Sequence, residues 1–187
     1  MAFFVKVEGT EHFPQHGGVI LASNHLSVFD PPVVAAAAPR NVHFLAKEEL
    51  FVNPPVRAML TWLLAFPIKR GSSDRQALKQ SIGILEAGHV LLIFPEGTRQ
   101  YGGRLVKIER GIGLVAMRSG VPVVPVYIKG KYNWFRSVTI KFGKPFYVTK
   151  DSVQEHGSRE DLSRAADMIL AHMRELMEEN QTGTTDH

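Results

Sequence analysis

Short apolar runs alternate along this chain with stretches whose apolar residues recur at helical spacing. That alternation limits the fold more than any other feature. Residues 19–22 (VILA), 90–94 (VLLIF) and 121–128 (VPVVPVYI) are apolar on every side, as strands covered on both faces are. Between them, Leu78, Ile82 and Leu85 share one helix face, and Leu162, Ala166, Ile169, Met173 and Leu176 share another. Strands are expected at 3–8, 19–22, 42–46, 66–69, 90–94 and 121–128, with the prolines placing the last at an edge or bulge. Segments 138–142 and 146–148 are expected to pair around Gly143. Helices are expected at 31–38, 75–87, 110–119 and 159–179, with 47–65 mostly helical but interrupted at Pro54-Pro55. Asp30 before Pro31-Pro32, Ser73 or Asp74, and Ser158 with Asp161 are the N-caps. Gly88 and Gly120 are stops. A strand–helix order of this kind predicts one three-layer α/β domain, a mixed and mostly parallel sheet flanked by helices. It would occupy 1–179, leaving 180–187 as a disordered polar tail.

Composition removes several classes. At 187 residues the chain suits a single domain, and it has no cysteine. A disulfide scaffold, a thiolate nucleophile and a Cys-based metal site are excluded. The longest nearly apolar stretch, 59–68, is ten residues, about half of what a membrane span needs. No signal-peptide pattern opens the chain. A soluble or peripheral protein is expected.

The net charge of +4 hides an asymmetry. Residues 1–96 are neutral overall, 97–150 carry 11 basic side chains against Glu109 alone, and 151–187 carry 3 basic against 9 acidic. A basic middle third points to a polyanionic partner, such as phosphate headgroups, an acidic carrier protein or nucleic acid. Acids elsewhere in the fold could equally neutralise it. No nucleic-acid-binding motif accompanies the charge.

Two constellations sit where strands hand over to loops. Asn24-His25-Leu26-Ser27-Val28-Phe29-Asp30 follows the 19–22 strand. On a helix, residues five apart lie about 140° apart in azimuth, so His25 and Asp30 could meet only on a loop. There, Asp30 could fix the imidazole tautomer and leave the other nitrogen as a base. By spacing alone, a helix cap and a loop histidine account for the same residues. The second constellation, Phe94-Pro95-Glu96-Gly97-Thr98-Arg99, ends the 90–94 strand. Gly97 permits a close backbone approach, and Arg99 offers a planar fork for phosphate. Alone, it reads equally as a polar turn. Ser27 reads as a loop hydrogen-bonder, and Trp62 with Leu60, Leu63 and Leu64 as part of a core helix, lipid contact being the alternative.

Together, NHLSVFD and FPEGTR resemble the glycerolipid acyltransferase family, which includes 1-acylglycerol-3-phosphate acyltransferases. Between and after them lie Ile68-Lys69-Arg70, Val121-Pro122-Val123-Val124-Pro125 and Lys141-Phe142-Gly143-Lys144-Pro145, in the family's order. The resemblance covers about 19–148. It implies a glycerol-3-phosphate acyltransferase-like fold and acyl transfer from acyl-CoA or an acyl carrier protein to the hydroxyl of lysophosphatidate. His25 would be the general base, oriented by Asp30, with backbone N–H groups near the motif binding the oxyanion. Arg70, Glu96, Gly97, Thr98 and Arg99 would hold the acceptor's glycerol-phosphate end. Neither a metal nor an organic cofactor is implied. The implied partners are the lysophospholipid, the thioester donor and an anionic membrane surface, and not nucleic acid. The implied location is cytoplasmic, peripheral on the cytoplasmic membrane face. Another acceptor, such as glycerol-3-phosphate or a different lysolipid, or a non-catalytic lipid-binding module, are the alternatives.

Overall fold

The computed structural model describes residues 4–69, 74–97, 108–130, 132, 137–148 and 158–182. In chain order the elements are β1 (Phe4–Glu8), β2 (Val19–Ser23), α1 (Asp30–Ala37), β3 (Val42–Lys47), α2 (Pro54–Trp62), β4 (Ala65–Ile68), α3 (Arg75–Glu86), β5 (Val90–Ile93), α4 (Arg110–Ser119), β6 (Val123–Gly130), β7 (Ser137–Phe142) and α5 (Arg159–Thr182). The strands form one sheet in the order β1-β7-β6-β2-β5-β3-β4. Every neighbouring pair is parallel except β6 with β7. The expected mixed, mostly parallel sheet is therefore present.

Side-chain alternation on the central strands creates two cores. Ile20, Ala22 and Leu91 face α3, α4 and α5, where they meet Leu85, Ile112, Ile169 and Met173. Val19, Leu21, Val90 and Leu92 point the other way and pack with Val34 of α1 and Leu60 of α2. Helices thus cover both faces, which is what allows β2 and β5 to be apolar on every side.

Several expectations need correction. The 121–128 strand is neither an edge nor a bulge. As β6 it lies between β2 and β7. Pro125 pairs with Ala22 of β2, and on its other side it lies one residue beyond the β7 ladder. Val126 opposes Phe142, the last residue of β7, and the Pro125 carbonyl accepts from Gly143 N at 2.8 Å. The Val123 N–H and the Pro125 carbonyl both turn to the β7 side, so the missing N–H falls where the β7 ladder ends and not in the β2–β6 ladder. Nor do 138–142 and 146–148 form a hairpin. β7 pairs with β1 and β6, and Phe146 crosses to bridge Val123. In 47–65 the part before Pro54 is a 3-10 turn, Glu48–Phe51. Trp62 is not core: it is 81% exposed, while Leu60 beside it is buried. The Ser158–Asp161 capping box forms, with Ser158 N donating to the Asp161 carboxylate and Asp161 N to Ser158 Oγ. From it α5 runs to Thr182, so residues 180–182 are helix rather than tail. Residues 183–187 lie outside the described set.

Candidate active site

Three adjacent parallel strands, β6, β2 and β5, end at one edge of the sheet. The loops that follow them carry the polar residues of the site, as parallel α/β sheets ordinarily arrange. Asn24 anchors the first loop. Its side chain donates to the Ile128 carbonyl at 2.9 Å and accepts from Ile128 N at 2.8 Å. The amide imitates one further rung of the β2–β6 ladder, so the residues after it leave the sheet at a fixed point.

The chain then turns back on Asp30, which is fully buried. Its Oδ2 accepts from His25 Nδ1 at 2.8 Å, Leu26 N at 2.6 Å and Ser27 N at 2.7 Å. Its Oδ1 accepts from the Tyr132 hydroxyl at 2.6 Å. A carboxylate out of water needs such a set of donors to remain charged. Asp30 is therefore not the cap of its own helix: α1 has no side-chain cap, and the carboxylate serves the turn before it. Ser27 does act within the loop, its Oγ accepting from Phe29 N at 3.3 Å. Since Nδ1 is committed to Asp30, the basic lone pair of a neutral His25 is at Nε2. Phe94, at the end of β5, stacks on the imidazole with centroids 4.2 Å apart and planes 28° apart.

Two further constraints follow. Leu26 N and Ser27 N are spent on Asp30, so the expectation that amides of this motif bind an oxyanion does not hold for these two. Gly97 N is likewise engaged, with Phe94 O at 3.2 Å. Gly97 has φ of 69°, and a Cβ there would lie 3.3 Å from Glu109 Cγ. Only glycine makes this turn without strain.

Glu96 lies close by and is 9% exposed. Its Oε2 has no hydrogen-bond partner among the described residues. Burial first, and then the charge of Asp30, pushes its carboxyl up to about 7. The folded protein therefore keeps this proton to near neutral pH, whereas the unfolded chain loses it near 4.5. Stability from this group is complete below 4.5 and is lost as pH rises to 7. Glu96→Gln, which cannot ionise, should gain stability over the parent at pH 8 relative to pH 4.5. The gain should reach up to about 3 kcal/mol, less whatever solvent screening removes. Urea unfolding of both proteins at the two pH values measures it. The same difference at both would show that Glu96 does not titrate this way.

Arg70, Thr98 and Arg99 of the expected acceptor set lie outside the described residues, as do six of the eleven basic residues of the 97–150 segment. The structure thus brings together His25, Asp30 and Glu96. To them it adds Asn24, Phe94 and Tyr132, which sequence reasoning gave no role. Asn24 and Phe94 lay inside the motifs. Tyr132 is 102 residues from Asp30, and nothing in the sequence links the two. Among the described residues, no group of three or more His, Asp or Glu side chains could hold a metal.

The family model described as Acyltransferase matches residues 4–129. The chain belongs to the acyltransferase family. Over 127 residues it is 32% identical to a 1-acyl-sn-glycerol-3-phosphate acyltransferase of Bacillus subtilis, covering 67% of this chain and 63% of that one. The chloroplastic 1-acyl-sn-glycerol-3-phosphate acyltransferase of Arabidopsis thaliana is 31% identical over 129 residues, covering 67% and 36%. The chain therefore spans less than two thirds of these relatives' own length. Among solved structures, the 1-acyl-sn-glycerophosphate acyltransferase PlsC of Thermotoga maritima superposes with a TM-score of 0.68 at 27% identity. That match covers 94% of this chain and 72% of the other, so the acyltransferase fold extends over nearly every element described above.

Proposed function

We propose that this protein transfers a fatty acyl group from acyl-CoA or an acyl carrier protein to the free hydroxyl of lysophosphatidate, giving phosphatidate. The observation that carries this reading is the buried Asp30 carboxylate holding His25 Nδ1 at 2.8 Å, in a chain of the acyltransferase family. The acceptor oxygen attacks the thioester carbonyl while Nε2 takes its proton. Asp30 stabilises the imidazolium so formed. The tetrahedral intermediate then collapses. A C–O ester bond has formed, the C–S bond breaks, and the proton passes from Nε2 to the departing thiolate. No further cofactor is needed for this balance.

Glu96, Gly97, Thr98, Arg99 and Arg70 are proposed for the glycerol-phosphate end. The uncommitted Glu96 Oε2 suits a glycerol hydroxyl, and two guanidiniums suit a phosphate monoester. Arg70→Lys should then slow lysophosphatidate by roughly 10- to 150-fold in kcat/KM, the worth of one charge-assisted bond. A phosphate-free monoacylglycerol should be slowed far less. Equal losses on both acceptors would mean that Arg70 does not read the phosphate.

An acceptor with a long acyl chain is presented by a membrane, and the site edge suits one. Val28 and Phe29 on the catalytic loop and Leu50 and Val52 after β3 are exposed apolar residues. The proposed resting place of this edge is an anionic cytoplasmic membrane face; no described helix is long and apolar enough to cross a bilayer. The deciding assay offers lysophosphatidate in anionic and in neutral vesicles with either donor, and follows phosphatidate. Glycerol-3-phosphate and other lysolipids serve as competing acceptors. No phosphatidate with either donor would overturn the reading.

A further inference from the structure

We propose that Tyr132 is a positioning residue for this acyl transfer: its hydroxyl fixes the Asp30 carboxylate against His25 and limits how strongly that carboxylate stabilises the imidazolium. The inference rests on the general-base reading above.

The geometry separates the two oxygens of Asp30. All three donors to Oδ2 come from residues 25–27, the carboxylate's own loop. Oδ1 takes its bond from Tyr132, on a different strand connection, at 2.6 Å. Tyr132 therefore ties the catalytic loop to the end of β6. Its distance is set by the sheet, because β6 pairs with β2 and Asn24 clamps the two strands at Ile128. Gly130, at φ 116°, ends β6 two residues earlier. The Tyr132 ring also leans on Phe29 of the loop, with centroids 5.9 Å apart.

The hydroxyl keeps its proton and donates a hydrogen bond to Asp30. Burial, and then the bond to Asp30, push it well above the ordinary phenol range. A donor on Oδ1 withdraws charge from Oδ2. With it, Asp30 orients His25 but stabilises the imidazolium less than a bare carboxylate would. The proton then leaves Nε2 more readily for the thiolate. The ionisable groups set against Asp30 among the described residues are His25 on its own loop, Glu96 from the loop after β5, and Tyr132. A Tyr132 substitution leaves the other two in place, so a change in titration reports on Tyr132.

The test is Tyr132→Phe, which removes one oxygen. Its kcat should fall by up to about tenfold with KM for lysophosphatidate nearly unchanged, because the carboxylate loses a bond that fixes it and a more strongly stabilised imidazolium returns its proton to the thiolate more slowly. The acid limb of its rate profile, and the NMR titration of the His25 ring in the free protein, should move to higher pH by about half to one unit. In an Asp30→Asn background the same substitution should cost nothing more, because its route is through the carboxylate. Should Tyr132→Phe fail to fold, 3-fluorotyrosine at position 132 supplies a stronger donor and should move both titrations to lower pH. Unmoved titrations in a folded variant, or losses that multiply with Asp30→Asn, overturn the proposal. If His25→Ala retains transfer, the base assignment fails instead, and the NMR titration still decides whether Tyr132 acts on His25.

Discussion

His25→Ala should abolish acyl transfer, with a loss on the order of 10²–10⁴-fold, and leave the protein folded. The two outcomes separate because the side chain contributes little to the structure. Its polar bond is Nδ1 to Asp30, and its packing is the stack on Phe94. Without the ring, Asp30 still accepts from Leu26 N, Ser27 N and Tyr132. The loop therefore keeps the bonds that shape it. Phosphatidate formation measures the first outcome, and circular dichroism with a melting curve measures the second. A folded variant transferring acyl groups at close to the parent rate would falsify the base assignment.

The sequence exposed the sheet's centre more clearly than its edges. Val90 to Ile93 and Val19 to Ala22 are apolar on every side because helices cover both faces, and such runs need no partner to be recognised. β6 was legible as a strand but not as a central one. Whether Pro125 disrupts a sheet depends on what lies opposite its nitrogen, and that is decided by residues 143–146. Trp62 shows the converse limit. A helix of Val56, Leu60 and Leu63 on one side and Met59 and Trp62 on the other has the composition of a core helix. Only the tertiary packing reveals that Leu60 is covered and Trp62 is not.

The same division runs through the site. His25 and Asp30 were legible because local sequence places them: five residues of loop suffice to bring imidazole and carboxylate together. Asp30 also shows how local reading can assign the wrong partner. Its position before Pro31-Pro32 is that of an N-cap, yet its oxygens are taken by donors upstream and by Tyr132. Tyr132 reaches it only because β2 and β6 are neighbours in the sheet. No spacing within the chain could announce that pairing.

Asp30→Asn should lower kcat by about 10³–10⁴-fold while changing KM and the fold little. Asparagine can occupy the site only one way round. The position of Oδ2 faces three N–H donors, so the amide oxygen must sit there. The amide nitrogen then takes the place of Oδ1, opposite the Tyr132 hydroxyl, which can rotate to accept from it. The loop therefore survives, unlike in Asp30→Ala, where Leu26 N and Ser27 N would lose their acceptor. What is lost is the negative charge beside the imidazolium. The barrier rises because that cation forms in the transition state, and the acid limb of the rate profile should move to lower pH, opposite to Tyr132→Phe. Steady-state kinetics between pH 5 and 9 on the two variants tests both directions. If the Asp30→Asn limb moves to higher pH, or stays where it is while the rate collapses, Asp30 is not acting through its charge on His25.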